Sequence, residues 1–346
     1  MMSVTIADVA LRAGVSTATV SRVLAGLGGA SPATRARVEA AAHDLGYRPS
    51  AIARSLKLRT TKTFGLIVTN IENPYFPQLV RAVEDAARLE GYALLLCNAA
   101  DDPGRESFYL DLLVDRRTDG VIIAASSLGE RHRAWLRDAR IPIVLVNALS
   151  RGVRLPSVTS DNRRGGFVAA AHLIELGHRR LGALTAGRRN ADAPLRLAGI
   201  GDAMRRAGID PNSLAIVVGD PGVIGGETAM AEMLHRHPGI TGIIAYNDLM
   251  AIGAMRAIRA RGGQVPRDVS VVGFDDVDLA AYVEPPLTTI AQSTAELGRL
   301  AVRQLIDRVR NDLADGEPAP AAGRAAVHIV VPVRLEVRGS TGPPPG

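Results

Sequence analysis

The pattern of apolar positions changes character near residue 63. Before it the pattern is helical and short: Ile6, Val9 and Ala10 share one face, Val20, Val23 and Leu24 a second, and Val38, Ala41, Ala42 and Leu45 a third. Punctuation separates them. Thr5 followed by Asp8 makes a capping-box-like start. Gly14 after Ala13 is free to take a left-handed conformation and end the first helix. Ser16 is placed to cap the second; Ser31 and Pro32 open the third, and Gly46 stops it. Three short helices, the first two joined by a tight glycine turn, predict a helix-turn-helix with a supporting helix.

From Phe64 onward, near-continuous Val/Ile/Leu runs alternate with amphipathic stretches. The runs "FGLIVTN", "YALLLCN", "DGVIIAAS", "IPIVLVN", "RLGALTAG", "LAIVVGD", "GIIAYND" and "VSVVGFDD" predict strands buried on both faces. "QLVRAVEDAARLEG" and "LMAIGAMRAIRARGG" have helical period and a closing glycine. Repeated βα units predict a doubly wound parallel sheet, and the break at "PSVTSDNRRGG" suggests two similar lobes with a ligand between them. Near the end, "GEPAPAAGRA" reads as loop, "VHIVVPVRLEVR" as strand and "GSTGPPPG" as a disordered tail.

Charge sharpens this division. Residues 1–62 hold nine Lys/Arg against three acids, which accounts for the whole net charge of +6. A basic head on a neutral body points to a polyanionic partner, with chance unevenness of surface charge as the plainer reading. The second predicted helix, within "GVSTATVSRVLAG", is rich in hydroxyls and poor in Glu and Lys. In a helix-turn-helix its first residues face base edges. Thr17 and Ala18 sit there, with methyls that can meet thymine, and Arg22 one turn on can reach guanine or a phosphate. Thr5, Ser16, Thr19, Ser21, Ser31 and Tyr47 complete the candidate DNA-facing set as donors that fix register. A structural three-helix unit with a polar face is the alternative.

"TIADVALRAGVSTATVSRVL" followed by "GYRPSAIARSLKLRTT" resembles the head of the lactose/galactose repressor (LacI/GalR) family, its purine-repressor branch especially through "PSAIARSLK". Taken alone, "SAIARSLKL" is too short for a stable isolated helix. The resemblance implies a hinge helix that pairs with a second copy in the DNA minor groove, with Leu56 as the wedge, Ala53 as its small neighbour and Lys57 beside them. An ordinary linker helix is the alternative. The resemblance covers nearly the whole chain and implies a periplasmic-binding-protein-like body of two lobes. The chain would cross between them near Asp161, near Ala291–Gln292 and in the last stretch.

Ligands of such sheets bind beyond the strands' carboxyl ends. Polar residues stand there: Asn70 and Asn73, Asn98, Asn147, Asp161, Asn247–Asp248 and Asp275–Asp276. Amides and carboxylates suit a polyhydroxylated ligand, whose hydroxyls donate and accept. The resemblance carries an effector role onto Asp161, Arg196, Asn247 and Asp275, and Tyr75 and Phe76 in "NPYF" can pack on a ring. Two departures leave the ligand open. Pro221 stands where sugar-binding members often have an aromatic, and the arginine pair of "GRRNAD" could meet a charged effector.

The expected organisation is a helix-turn-helix domain at 1–48 and a hinge at 49–62, followed by an effector-binding and dimerisation domain at 63–339 and a disordered tail at 340–346. Its N-lobe takes about 63–161 and 292–325, its C-lobe about 162–291 and 326–339. The expected function is a homodimeric, ligand-responsive repressor of a palindromic operator, with a sugar as effector. A purine, nucleoside or phosphorylated sugar acting as co-repressor is the alternative. An α/β enzyme is disfavoured: "GDPGVIGG" matches neither the dinucleotide fingerprint nor the P-loop, and no nucleophile elbow is present. No cofactor or metal is expected, since His235 and His237 lack further ligands. Cys97, the single cysteine, allows no disulfide within the chain and reads as a small buried hydrophobe. With no secretory signal and no apolar run near the ~18–20 residues of a membrane helix, a cytoplasmic protein is expected.

Overall fold

The computed structural model describes residues 4–26, 29–47, 60–124, 135–148, 153–187, 190–315 and 326–346. The hinge candidates Ala53, Leu56 and Lys57, and the pair Arg188–Arg189, lie outside the described residues. The chain forms two units, Met1–Thr61 and Lys62–Gly346.

In the first unit, α1 (Ile6–Ala13), α2 (Thr17–Leu24) and α3 (Pro32–Asp44) follow the predicted punctuation. Gly14 adopts a left-handed φ of 65°, which turns the chain between α1 and α2. Val9, Ala10, Ala13, Val20, Val23, Val38, Ala41 and Ala42 make the core. It is built from small side chains, so three short helices can approach closely.

The second unit holds two six-stranded sheets. The first contains β1 (Thr63–Val68), β2 (Ala93–Asn98), β3 (Gly120–Ala124), β4 (Ile143–Val146), β5 (Ser157–Ser160) and β11 (His328–Val331), in spatial order 11-5-4-3-1-2. The second contains β6 (Leu181–Thr185), β7 (Ala215–Val218), β8 (Gly242–Ala245), β9 (Ser270–Asp275), β10 (Thr288–Gln292) and β12 (Val333–Glu336), in order 12-10-9-8-6-7. All pairings are parallel except β10 with β12. Helices α4 (Tyr75–Leu89), α5 (Pro103–Asp115) and α10 (Thr294–Asp315) belong to the first lobe. Helices α6 (Asn162–Glu175), α7 (Ala193–Arg206), α8 (Val223–Arg236) and α9 (Asp248–Ala260) belong to the second.

Three expectations are corrected. "YALLLCN" and "LAIVVGD" are apolar but not buried on both faces: β2 and β7 are edge strands that expose Leu95, Leu96, Ile216 and Val218. The third crossing lies between Val331 and Val333, later than residue 326, because β11 pairs with β5 before the chain changes sheet. Residues 340–342 of the expected loose tail are docked, while 343, 345 and 346 are exposed. Ser340 is fully buried; its Oγ donates to Val271 O at 2.6 Å and accepts from Thr288 N–H at 2.8 Å. Composition made this segment look disordered, but its backbone and hydroxyls find partners on β9 and β10. "SVTS" and "TTIAQ", too polar for the apolar-run criterion, are strands β5 and β10.

Candidate functional site

On the head, the hydroxyls at the helix starts first serve the backbone. Ser16 Oγ accepts from Thr19 N–H and Ser31 Oγ from Thr34 N–H, each at 3.2 Å. The Thr5 N–H and hydroxyl both donate to Asp8 Oδ2 at 2.8 Å, and those bonds hold the Asp8 carboxyl below its usual range. With Val20 and Val23 turned into the core, α2 presents Thr17, Ala18 and Arg22 to solvent along one arc, with Ser21 partly exposed between them. Thr19 and Tyr47 are half-buried at its margins. The caps therefore fix the start of α2, while its outward side chains stay available.

In the body, the carboxyl ends of strands from both sheets frame a cleft open to solvent. Asn73, Tyr75, Phe76 and Asn147 line it from the first lobe; Arg196, Asn247 and Asp275 line it from the second. A buried chain of hydrogen bonds joins the two walls. Asn147 Nδ2 donates to Tyr75 Oη at 2.6 Å and to Gln292 Oε1 at 2.9 Å, and Gln292 Nε2 donates to Asp275 Oδ1 at 2.6 Å. Ser160 closes the network, its Oγ donating to Gln292 Oε1 and its N–H to Asn147 Oδ1 at 2.7 Å. Asn147, Asp275 and Asp276 have φ of 48°, 117° and 58°, so the cleft is framed by backbone that side-chain residues rarely adopt.

Arg196 is buried and largely committed. Its Nε donates to Asn162 Oδ1 at 2.9 Å, its Nη2 to Asp192 Oδ2 at 2.7 Å and its Nη1 to the Tyr246 carbonyl. The guanidinium lies 3.5 Å from the Phe274 ring centroid. Burial alone would lower its pKa, but Asp192 and its other neighbours raise it, so it stays charged. Asp275 has the opposite balance. Burial pushes its carboxyl up to about 7, against Arg196 and the Gln292 N–H, which pull it down. Asp248 lies deeper, bonded by Thr289 Oγ1 and the Val277 N–H, and burial drives its carboxyl well above the usual range. It buttresses the strand end and does not line the cleft.

Not every candidate reaches the cleft with free groups. Asn247 spends its amide on structure: Oδ1 accepts from Met250 N–H at 2.8 Å, and Nδ2 donates to Pro221 O at 2.9 Å. Asn98 is not among the lining residues; its Oδ1 accepts from Ile71 N–H at 3.2 Å and fixes the turn after β1. Asp161 caps α6 and faces an adjacent cleft with Arg163 and His328, which shares Asn147 and Asp192 with the first. Sequence reasoning missed Asp192, Tyr246 and Gln292. The strand-end rule could have found Tyr246, and the spacing of Asp192 to Arg196, four apart on one helix face, could have found that pair. Only the second sheet's closure brings Gln292 to Asn147.

The chain is similar to known proteins over most of its length. Residues 5–50 match the family described as "Bacterial regulatory proteins, lacI family", and residues 170–341 match "Periplasmic binding protein-like domain". The chain is 35% identical over 308 residues to the HTH-type transcriptional repressor PurR of Aliivibrio salmonicida (strain LFI1238), covering 89% of this chain and 92% of that protein. Its fold is similar to the Lac repressor dimer bound to operator and the anti-inducer ONPF, with TM-score 0.85, 29% identity, and coverage of 99% of this chain and 100% of that one. It is also similar to a LacI family transcriptional regulator from Enterococcus faecium with bound ribose: TM-score 0.71, 31% identity, and coverage of 81% and 99%.

Proposed function

The chain belongs to the lacI family of bacterial regulatory proteins, a ligand-responsive DNA-binding repressor, and we propose from that premise that its effector is an uncharged sugar of about monosaccharide size. One observation carries the choice of ligand. Among the described residues lining the cleft, the guanidinium of Arg196 is already paired with Asp192, while Asp101 and Asp275 add further carboxylates. A phosphate entering there would find no unpaired cation among these groups, and carboxylates on several sides. Hydroxyl groups fit better. Asp275 accepts, Arg196 keeps N–H groups beyond its three bonds, and Tyr75, which accepts from Asn147, retains its own proton to donate. Tyr246 and Phe76 supply aromatic wall in place of the residue that Pro221 replaces.

Two copies of the head read a two-fold symmetric operator. Thr17, Ala18 and Arg22 face bases, and the hinge candidates Ala53, Leu56 and Lys57 act in the minor groove. Held by groups of both lobes, the effector favours one lobe arrangement over the other. The linkage is reciprocal: whatever factor the effector imposes on operator affinity, the operator imposes on the effector. Nothing in this cycle requires a chemical step, and we read the protein as a cytoplasmic regulator rather than an enzyme. No helix among the described residues is long and apolar enough to cross a membrane.

The test is a calorimetric titration of the purified protein with D-ribose, other neutral pentoses and hexoses, hypoxanthine, guanine and sugar phosphates, repeated in the presence of an operator duplex that the same protein selects from a random DNA pool. Saturable binding of a neutral sugar that alters operator affinity supports the reading. Selective binding of a purine or a sugar phosphate overturns it.

A further inference from the structure

Asp275 and Asp276 both stand in the left-handed region, at φ of 117° and 58°, and such consecutive conformations persist only when surrounding contacts over-determine them. Two of the contacts come from within the second lobe: Gln292 at the end of β10 holds the Asp275 carboxylate, and Asp248 Oδ2 at the start of α9 accepts from the Val277 N–H at 2.9 Å. The third comes from the end of the described chain. Arg338 Nη2 donates to Asp276 Oδ1 at 2.6 Å, in a pair whose side chains are only 23% and 20% exposed.

Arg338 is itself fixed. Its Nη1 donates to Leu287 O at 2.8 Å, and its N–H donates to Thr288 Oγ1 at 2.9 Å. Beyond it the chain is stitched to β9 and β10. Val271 N–H donates to Ser340 O at 2.9 Å, Thr341 Oγ1 lies 3.1 Å from Thr288 Oγ1, and Gly342 N–H donates to Ser270 Oγ at 3.0 Å. Arg334 also feels the charge of Asp276 but is paired with Glu336.

We infer that Arg338 is a positioning residue for the effector carboxylate of Asp275, and that the segment from Arg338 to Gly342 is part of the effector-binding machinery. This rests on the reading of Asp275 as a ligand group. The segment's Gly-rich composition marks it as dispensable, yet its contacts set the backbone from which Asp275 reaches the cleft. A chain ending at Val337 would keep β12 and every cleft-lining residue and lose the clamp on Asp276.

The experiment compares the full-length wild type with Arg338→Ala, Asp276→Asn, the double variant and the chain ending at Val337. Amide hydrogen exchange over residues 274–277 is read against a control peptide on β1, alongside calorimetric titration with D-ribose. Arg338→Ala should speed exchange at 274–277 and weaken D-ribose binding by about tenfold, as loss of one charge-assisted bond does. Asp276→Asn should do the same without disturbing the docked segment, and the double variant should be little worse than either single one. Unchanged exchange at 274–277 in Arg338→Ala, or fully additive single effects, overturns the inference. Failure of the wild type to bind D-ribose would count against that sugar as effector; the exchange comparison decides the role of Arg338 either way.

Discussion

Asn147 Nδ2 donates to Gln292 Oε1 over 2.9 Å; Asn147 directly follows β4 and Gln292 ends β10, strands of different sheets. A buried amide pair thus ties the lobes at the floor of the cleft, one partner holding Tyr75 and the other Asp275.

Replacing Gln292 with Leu should be costly in two ways. Ser160 Oγ and Asn147 Nδ2 lose their common acceptor and Asp275 loses its donor, all in a buried setting. Stranding such groups costs about 1–3 kcal/mol each, so a loss of roughly 3 kcal/mol or more in unfolding free energy is expected. Denaturant unfolding measures it. A variant as stable as the wild type would show that the network adds nothing.

Asp275 predicts a pH dependence with a definite sign. Its folded-state pKa, near 7 because of burial, lies above its unfolded value, so the native state binds the proton more tightly. Its contribution to stability is fully present below about pH 4 and is lost as pH rises towards 7. Asp275→Asn should flatten the stability profile between pH 4 and 7. Ligand hydroxyls that favour the carboxylate would also release protons near neutrality. Calorimetric enthalpies should then vary with buffer ionisation heat in the wild type and not in the variant.

Gly199 is where α7 meets α6. A Cβ there would lie 1.9 Å from the Arg163 carbonyl oxygen, and one at Gly166 would lie 2.0 Å from the Arg196 carbonyl oxygen. Gly199→Ala should force the helices apart, at a cost of about 3 kcal/mol, and shift Arg196 in the cleft. Thermal unfolding and effector titration should both suffer. Normal effector affinity in a destabilised variant would separate the packing from the site.

Arg22 on α2 is exposed. Arg22→Ala should weaken binding to the selected operator by about 1–3 kcal/mol while the head stays folded, since Val20 and Val23 carry the core contacts. If Arg22 reads a base, the loss is confined to specific sites; if it contacts phosphate, every sequence weakens and the salt slope falls by about one. Competition assays at several salt concentrations tell these apart. No loss at all would remove Arg22 from the interface.

The sequence by itself determined the local elements and their order. Caps such as Ser16 and Ser31, the stop at Gly14 and the apolar runs of the inner strands are short-range signals, written where the structure uses them. It also announced most strand-end polar residues, because a parallel sheet presents them at one edge whatever the loops do. Tertiary structure decided the rest. Asn247 looked like a ligand group but its amide is spent: Oδ1 caps α9 locally through the Met250 N–H, and Nδ2 donates to Pro221 O, a partner that only folding brings near. Gln292 gained its role through its contact with Asn147, 145 residues away, a distance that no period or spacing fixes. The tail at 340–346 looked disordered by composition, yet Ser340 and Gly342 are docked because β9 and β10 leave Ser270, Val271 and Thr288 with groups that this further chain segment satisfies. Local chemistry chooses helices, strands and turns; which polar atoms remain for a ligand depends on every long-range partner that has already claimed one.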